Sequence, residues 1–401
     1  MRLCRWLLLG LVALTQWRTI VHNSHLLFRP PLVFYVVYLM MAFVSVSYSV
    51  EPALSLFRAG QIATALALGL SVADRIGNWP RLAAVYLALN WAFLLIGLTG
   101  HPESLNWRAL PSFQEAGFNA LQQPWRFGTP MGHFSQISIV AAMVGIATAA
   151  RIRDRITLRD AALLGWMMLT IILTVSRTAA MGFAIGLLIV LALRGMLALV
   201  VLGGTGLAAT ILMLPQVVIA MTGFVDRGQS AEGLESLTNR TSIWESAIRD
   251  IDTHWMLGYG FRAARAMVLG KQPDGSGVAH AHNAVLEATL GLGVIGGVLA
   301  ALILLALLAC AIGVLLRERG GRLPETARRG GEFVSMFAPI FFFSMLDSSF
   351  SFDYNPFLFC FVAYLIDFTY YRAFIRQVPC RRSAPTRLAT DLLADEGFRS
   401  R

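Results

Sequence analysis

His280-Ala281-His282-Asn283 places two imidazoles and an amide where a polar stretch gives way to a strongly apolar run. Histidine is the side chain whose unperturbed pKa lies nearest neutrality, so a ring at this junction has the chemistry of a general base. Two arginines also stand out from their surroundings. Arg177, in Ser176-Arg177-Thr178, interrupts two apolar runs, and Arg240 sits in Thr238-Asn239-Arg240-Thr241-Ser242-Ile243-Trp244. Guanidinium binds phosphate bidentately. A base and two anion-binding groups are thus the chemically distinctive residues of the chain.

Each has a plainer reading. Arg177 is either an interfacial arginine snorkelling to lipid headgroups or an anion site, since charge inside a membrane is costly and is kept for a partner. Arg240 is either a solvated surface group or the ligand of an anion, because a cation at a helix start is a poor match to the helix dipole. Thr238, Asn239 and Thr241 are its candidate helix caps. His282-Asn283 either caps the helix that follows or supplies a base. Zinc on His280 and His282 has only two ligands, and no Asp, Glu or Cys follows at ligand spacing; no metal and no cofactor is expected.

The elements that must position these residues are membrane helices. The chain of 401 residues is 56% hydrophobic and only 14% charged, against about 25% charged in soluble globular proteins. Apolar runs cover roughly 6–21, 31–50, 53–73, 81–99, 131–150, 159–176, 179–194, 196–215, 284–316, 333–347 and 356–372. Several approach or exceed the roughly 18 residues that span a bilayer, and none alternates as a barrel strand would. The expected fold is all-α: a polytopic transmembrane bundle of about 10–12 spans with a large helical outer loop.

The expected organisation is an N-terminal membrane bundle over 1–215, an outer loop over 216–283, C-terminal spans over 284–372 and a cytoplasmic basic tail over 373–401. The net charge is +10, with Lys271 the only lysine. In a soluble protein this would raise nucleic-acid binding; here the arginines cluster in short loops and in the tail, where they set orientation. Arg151, Arg153, Arg155 and Arg159 mark a cytoplasmic loop. Alternation then puts Arg177 outside, Arg194 inside, 216–283 outside, and Arg317 through Arg329 inside, with the tail from Arg372 also inside. Eleven full spans would leave the N-terminus outside against Arg2 and Arg5, so the first segment either does not cross or defies the charge rule. The four cysteines are scattered and form no metal or disulfide pattern.

Three further patterns are structural on their face. Trp244, Ile248 and Ile251 recur at helical spacing and suggest an amphipathic helix resting on the membrane. Leu257-Gly258-Tyr259-Gly260 reads as a tight turn that uses glycine's positive φ. Gly291, Gly293, Gly296 and Gly297 read as a close helix-packing face. The outer segment 100–130, with Trp107, Pro111, Pro124 and Trp125, reads as an interfacial anchor, and Asp347 and Asp353 bracket the last outer loop.

Taken in order, these pieces resemble the O-antigen ligase and polymerase superfamily of bacterial envelope enzymes. Ser176-Arg177-Thr178 resembles its Ser-Arg-Gly/Thr element. Arg240 and Trp244 followed by Leu257-Gly258-Tyr259-Gly260 resemble its Arg…Trp…Leu-Gly-x-Gly stretch. His282-Asn283-Ala284-Val285-Leu286 with Leu290-Gly291-Leu292-Gly293 and Gly296 resembles its His-Asn-x-x-Leu…Gly helix. Phe127-Gly128-Thr129-Pro130 with His133 is a looser match to an earlier element of the family.

The resemblance implies a metal-independent, inverting transfer of a glycan from undecaprenyl diphosphate to an acceptor sugar hydroxyl, at the periplasmic face of the bacterial inner membrane. It implies His282 as base, Arg240 as a catalytic and diphosphate-binding group, and Arg177 as a second diphosphate ligand, with His280, Asn283 and Trp244 in support. The implied partners are the lipid-linked glycan, an acceptor glycan or lipid A core, membrane lipid and other polysaccharide-assembly proteins, without nucleic acid. Polymerase and ligase share these motifs; the compact outer loop leans toward a polymerase of capsule, exopolysaccharide or O-antigen type. A transporter or flippase of lipid-linked glycan is the competing class, although no paired repeats of the transporter kind are visible.

Overall fold

The computed structural model describes residues 10–11, 14–100, 134–152, 155–174, 176–196, 240–263, 281–318, 324–346 and 356–377. His280, the run 196–215 after its first residue, the 101–133 stretch with Phe127–His133, most of 216–283, Asp347, Asp353 and the basic tail lie outside them. Among the described residues the chain is helical throughout: α1 (Trp17–Asn23), α2 (Leu32–Val44), α3 (Pro52–Ser71), α4 (Trp79–Gly100), α5 (Phe134–Arg151), α6 (Leu158–Thr174), α7 (Arg177–Leu193), α8 (Arg240–Thr253), α9 (Ala284–Glu318), α10 (Pro324–Leu346) and α11 (Pro356–Gln377). Short tight-wound turns cover Ser24–Phe28, Ser45–Ser47 and Ala73–Asn78.

Each apolar run expected to be a helix and lying within the described residues has one, and the bounds differ mainly at the ends. Pro52–Ser71, Phe134–Arg151 and Ala284–Leu316 are each long and apolar enough to cross a bilayer. Residues Trp17–Phe28 and Leu32–Ser47 qualify only as a pair, and that pair is bent by 104°.

One core joins the helices. α5 is buried along almost its whole length and packs on α6, α7, α10 and α11. α7 and α10 pack closely, and small residues permit it. A Cβ at Gly182 would lie 2.6 Å from Pro339 Cα, and one at Gly186 would lie 2.9 Å from Ser335 O. Gly182 and Gly186 thus form a small-xxx-small face of the kind that lets membrane helices touch through their backbones. Because residues 182 and 186 meet 339 and 335, the two helices are antiparallel.

The ends of the bundle differ in character. At one end Arg151 grips Glu332 with two bonds of 2.6 and 2.7 Å and donates to Gly77 O. Arg329 joins the same Glu332 to Asp367. Glu332 is fully buried, so two arginines on one carboxylate offset a charge that would otherwise be severely penalised. Arg194 closes the same end by donating to the carbonyls of Ala150 and Ile152. The opposite end carries the starts of α5, α7 and α9 and the C-terminal end of α10.

Candidate functional site

The site is built at this second end, on a break in α9. Gly293 has φ 67° and ψ −166°, a region essentially confined to glycine. The helix therefore divides into 284–292 and 294–318 rather than running straight. This corrects the reading of the glycines as a helix-packing face. A Cβ at Gly293 would stand 2.1 Å from Met256 O, and one at Gly296 would stand 2.6 Å from Ala288 O. The glycines admit a loop, and they fold the helix against itself.

A break in a helix releases backbone polar groups, and buried ones must find partners. The segment around Leu257-Gly258-Tyr259-Gly260 supplies them. Tyr259 N–H donates to Leu290 O and Gly260 N–H to Gly291 O, each at 2.9 Å, while Val294 N–H donates to Trp255 O at 2.8 Å. The far side of the same segment is tied to the α2–α3 connection: Val50 N–H donates to Tyr259 O, Phe261 N–H to Ser45 Oγ, and Ser55 Oγ to Phe261 O. Gly258 (φ 68°) and Gly260 (φ 97°) make the turn as expected. The two glycine motifs of the sequence are therefore two halves of one joint.

The joint delivers Arg262 to the start of α9. Arg262 Nη1 donates to Glu287 Oε1 at 2.6 Å, and both side chains are 5% exposed. The other carboxylate oxygen, Glu287 Oε2, accepts from Ala281 N–H at 2.8 Å. From the opposite side Trp244 Nε1 donates to Ala281 O at 2.9 Å. Both backbone groups of Ala281 are thus held. Asn283 Oδ1 accepts from Val285 N–H and Leu286 N–H at 2.9 and 3.1 Å, so Asn283 is the helix cap, a role worth about 1 kcal/mol. Its Nδ2 donates to Met345 O at 3.3 Å and fastens the cap to the end of α10.

His282 lies between these two fixed residues, with φ 50°. It stands one residue ahead of the cap and is not itself the cap, so the capping alternative applies to Asn283 alone. A non-glycine residue in the left-handed region costs of order 1–3 kcal/mol and persists only where its surroundings over-determine it. His282 and Arg262 are the two non-glycine residues with positive φ among those described, and both belong to this assembly.

Arg177 is at the same end. Extending the antiparallel α7–α10 register by five residues from Gly182 and Pro339 brings Arg177 level with Ser344, next to the Met345 carbonyl that holds Asn283. It opens α7 behind Ser176, whose hydroxyl accepts from Ala179 N–H at 3.4 Å. Arg240 opens α8, four residues and hence about one turn before Trp244. The α8 face that packs on the protein is Ile243 and Ala247, seated against Ala281 and Leu290 with Ile251, Tyr259 and Leu286 around them. Of the stripe Trp244, Ile248 and Ile251, Ile251 packs on this cluster and Ile248 stays exposed, while the helix docks on the first half of α9. The structure thus gathers the positions of Arg177, Arg240, Trp244, His282 and Asn283 at one end of the bundle.

Residues 162–301 match the family model described as O-antigen ligase. That stretch, about a third of the chain, is similar to the O-antigen ligase family and contains Arg177, Arg240, Trp244, the glycine joint, Arg262, His282, Asn283 and Glu287. No curated protein matches the chain.

Arg262 and Glu287 escaped the sequence reading. Glu287 had a weaker signal: it is an acid in the first turn of the helix, where the dipole favours negative charge. Arg262 had none, because its pairing exists only once the joint is made.

Proposed function

We propose that the chain is a membrane glycosyltransferase that moves a glycan from a polyprenyl diphosphate to an acceptor sugar hydroxyl, in surface-polysaccharide polymerisation or ligation. The observation that carries this reading is the seat of His282. A strained histidine stands between Ala281 and Asn283, which three bonds hold to Glu287, Trp244 and Met345, at the end of the bundle that also receives the Arg177 and Arg240 positions. The O-antigen ligase match over the same residues supports it.

In this reading His282 takes the proton of the acceptor hydroxyl as its oxygen attacks the anomeric carbon. The bond from that carbon to the diphosphate oxygen breaks, and the electron pair leaves with the diphosphate. Charge developing there is stabilised by Arg177 and Arg240. One displacement inverts the anomeric centre. The leaving group is already activated, so the donor needs no nucleotide. In this reading the short arginine-rich loop with Arg151, Arg153, Arg155 and Arg159 lies on the cytoplasmic side, the His282 end faces the periplasm, and the membrane is the bacterial inner membrane. Residues 216–283 then form the periplasmic loop between two groups of spans, 1–215 and 284–372, ahead of the cytoplasmic tail 373–401.

The test uses pure protein and one lipid-linked repeat. Longer chains from the repeat alone identify a polymerase, the outcome we favour. Reaction only after lipid A core is added identifies a ligase. Absence of transfer with either acceptor, combined with translocation of the lipid in sealed vesicles, would replace the enzyme by a transporter.

A further inference from the structure

Catalysis by a single imidazole depends on where its ring stands, and here that is decided by a residue with no side-chain chemistry of its own. Ala281 is fully buried, so its N–H and C=O have no access to water and must be met by protein groups. Glu287 Oε2 meets the first at 2.8 Å and Trp244 Nε1 the second at 2.9 Å. The next residue is His282, in a backbone conformation that its own preferences disfavour.

We propose that Trp244 and Glu287 are positioning residues for His282, with Arg262 as the countercharge that keeps Glu287 aimed. The proposal rests on the reading of His282 as the base. The three groups come from three separate elements: α8, the first turn of α9, and the glycine joint. None of them has to touch substrate. Glu287 turns both oxygens inward, one to Arg262 and one to Ala281. That is the geometry of a carboxylate spent on structure at a site where a proton acceptor is also required. Trp244 ties α8, and with it the Arg240 position, to the backbone that carries His282. One indole bond thereby sets the spacing between the base and a diphosphate ligand.

The experiment compares Trp244→Phe, Glu287→Gln and Glu287→Ala with His282→Ala, in the full chain purified in detergent. Rates are measured with a lipid-linked repeat across a pH series, and thermal unfolding is measured in parallel. Trp244→Phe keeps the apolar ring and deletes one N–H. It should lower kcat about 10- to 100-fold, the scale of a misplacement near 1 Å, with donor KM within twofold and the acid-side fall of the pH–rate profile retained. Glu287→Gln keeps an oxygen for Ala281 and should fall less than Glu287→Ala. His282→Ala should lose the acid-side fall with the activity. If Trp244→Phe has wild-type kcat while His282→Ala is inactive, the positioning role alone is overturned. If every loss follows a matching loss of folded protein, the role is merely structural and the proposal is likewise overturned. Wild-type kcat in His282→Ala overturns the base assignment and this inference with it.

Discussion

At the scale of residues, the chain separates chemistry from support. His282, Arg177 and Arg240 drew attention because their types are out of place: charge between apolar runs, and imidazole at the start of a membrane helix. Such contrasts are legible in sequence because the cost of burying a polar group is a property of the residue and its neighbours. What Glu287 and Arg262 do was not legible, because a 2.6 Å ion pair across the glycine joint is a property of the fold. His282→Ala should therefore lower glycan transfer by about 10²-fold or more, the usual contribution of a general base, at matched protein level in the membrane. Normal chain lengths on a polysaccharide gel would remove His282 from the reaction. Arg177→Lys and Arg177→Gln form a graded pair. Lysine retains charge and loses the planar fork, so donor KM should rise in both and more in the glutamine variant. Equal donor KM in all three proteins would leave Arg177 as an interfacial arginine.

The elements tell a different story about what sequence conveys. Helix positions followed from hydropathy, since lipid allows a single backbone solution for a lone apolar run. The break in α9 did not, because the 33-residue stretch Ala284–Leu316 is apolar on both sides of it. Gly291 and Gly293 were visible, but glycine that permits helix contact and glycine that permits a break look the same without the loop that fills the gap. Gly293→Ala discriminates between the two. A packing glycine tolerates a methyl if its neighbour gives way, whereas φ 67° with ψ −166° and a carbonyl 2.1 Å from the new Cβ do not. The substitution should lower the detergent melting temperature and release the Tyr259 and Gly260 amides to hydrogen exchange. Unchanged exchange there would mean that the joint is not what holds the site. The ion pair above the joint makes its own prediction. Arg262→Met alone, which leaves Glu287 buried without its partner, should cost about 3–5 kcal/mol. The double variant Arg262→Met with Glu287→Leu should recover much of that in stability, though not in rate, since Ala281 N–H would still lack its acceptor. Chemical unfolding of the two variants and the parent decides the matter.

At the scale of the whole molecule, what matters is that the two ends of one bundle are built for different tasks. The Arg151 end is neutralised internally: two arginines meet two carboxylates, and Arg194 spends its donors on backbone carbonyls. The His282 end instead brings the Arg177 and Arg240 positions to a strained histidine and assigns a buried carboxylate, Glu287, to support. A machine for transport needs two such ends to take turns around a central site, and its work exists only across a sealed membrane. A transferase needs one end and no compartment. On the proposed mechanism, the protein in detergent micelles, with donor and acceptor free to reach it from any side, should join glycan to acceptor, and should do so in the presence of a strong chelator, because that mechanism places the activation in the donor's diphosphate and in arginine. Product that forms in micelles and persists in chelator fits a one-ended enzyme. Activity restored by a divalent ion alone would return the histidine pair to the role of metal ligands. Movement of intact donor across vesicles, with no new glycosidic bond in micelles, would make the arginines part of a translocation path.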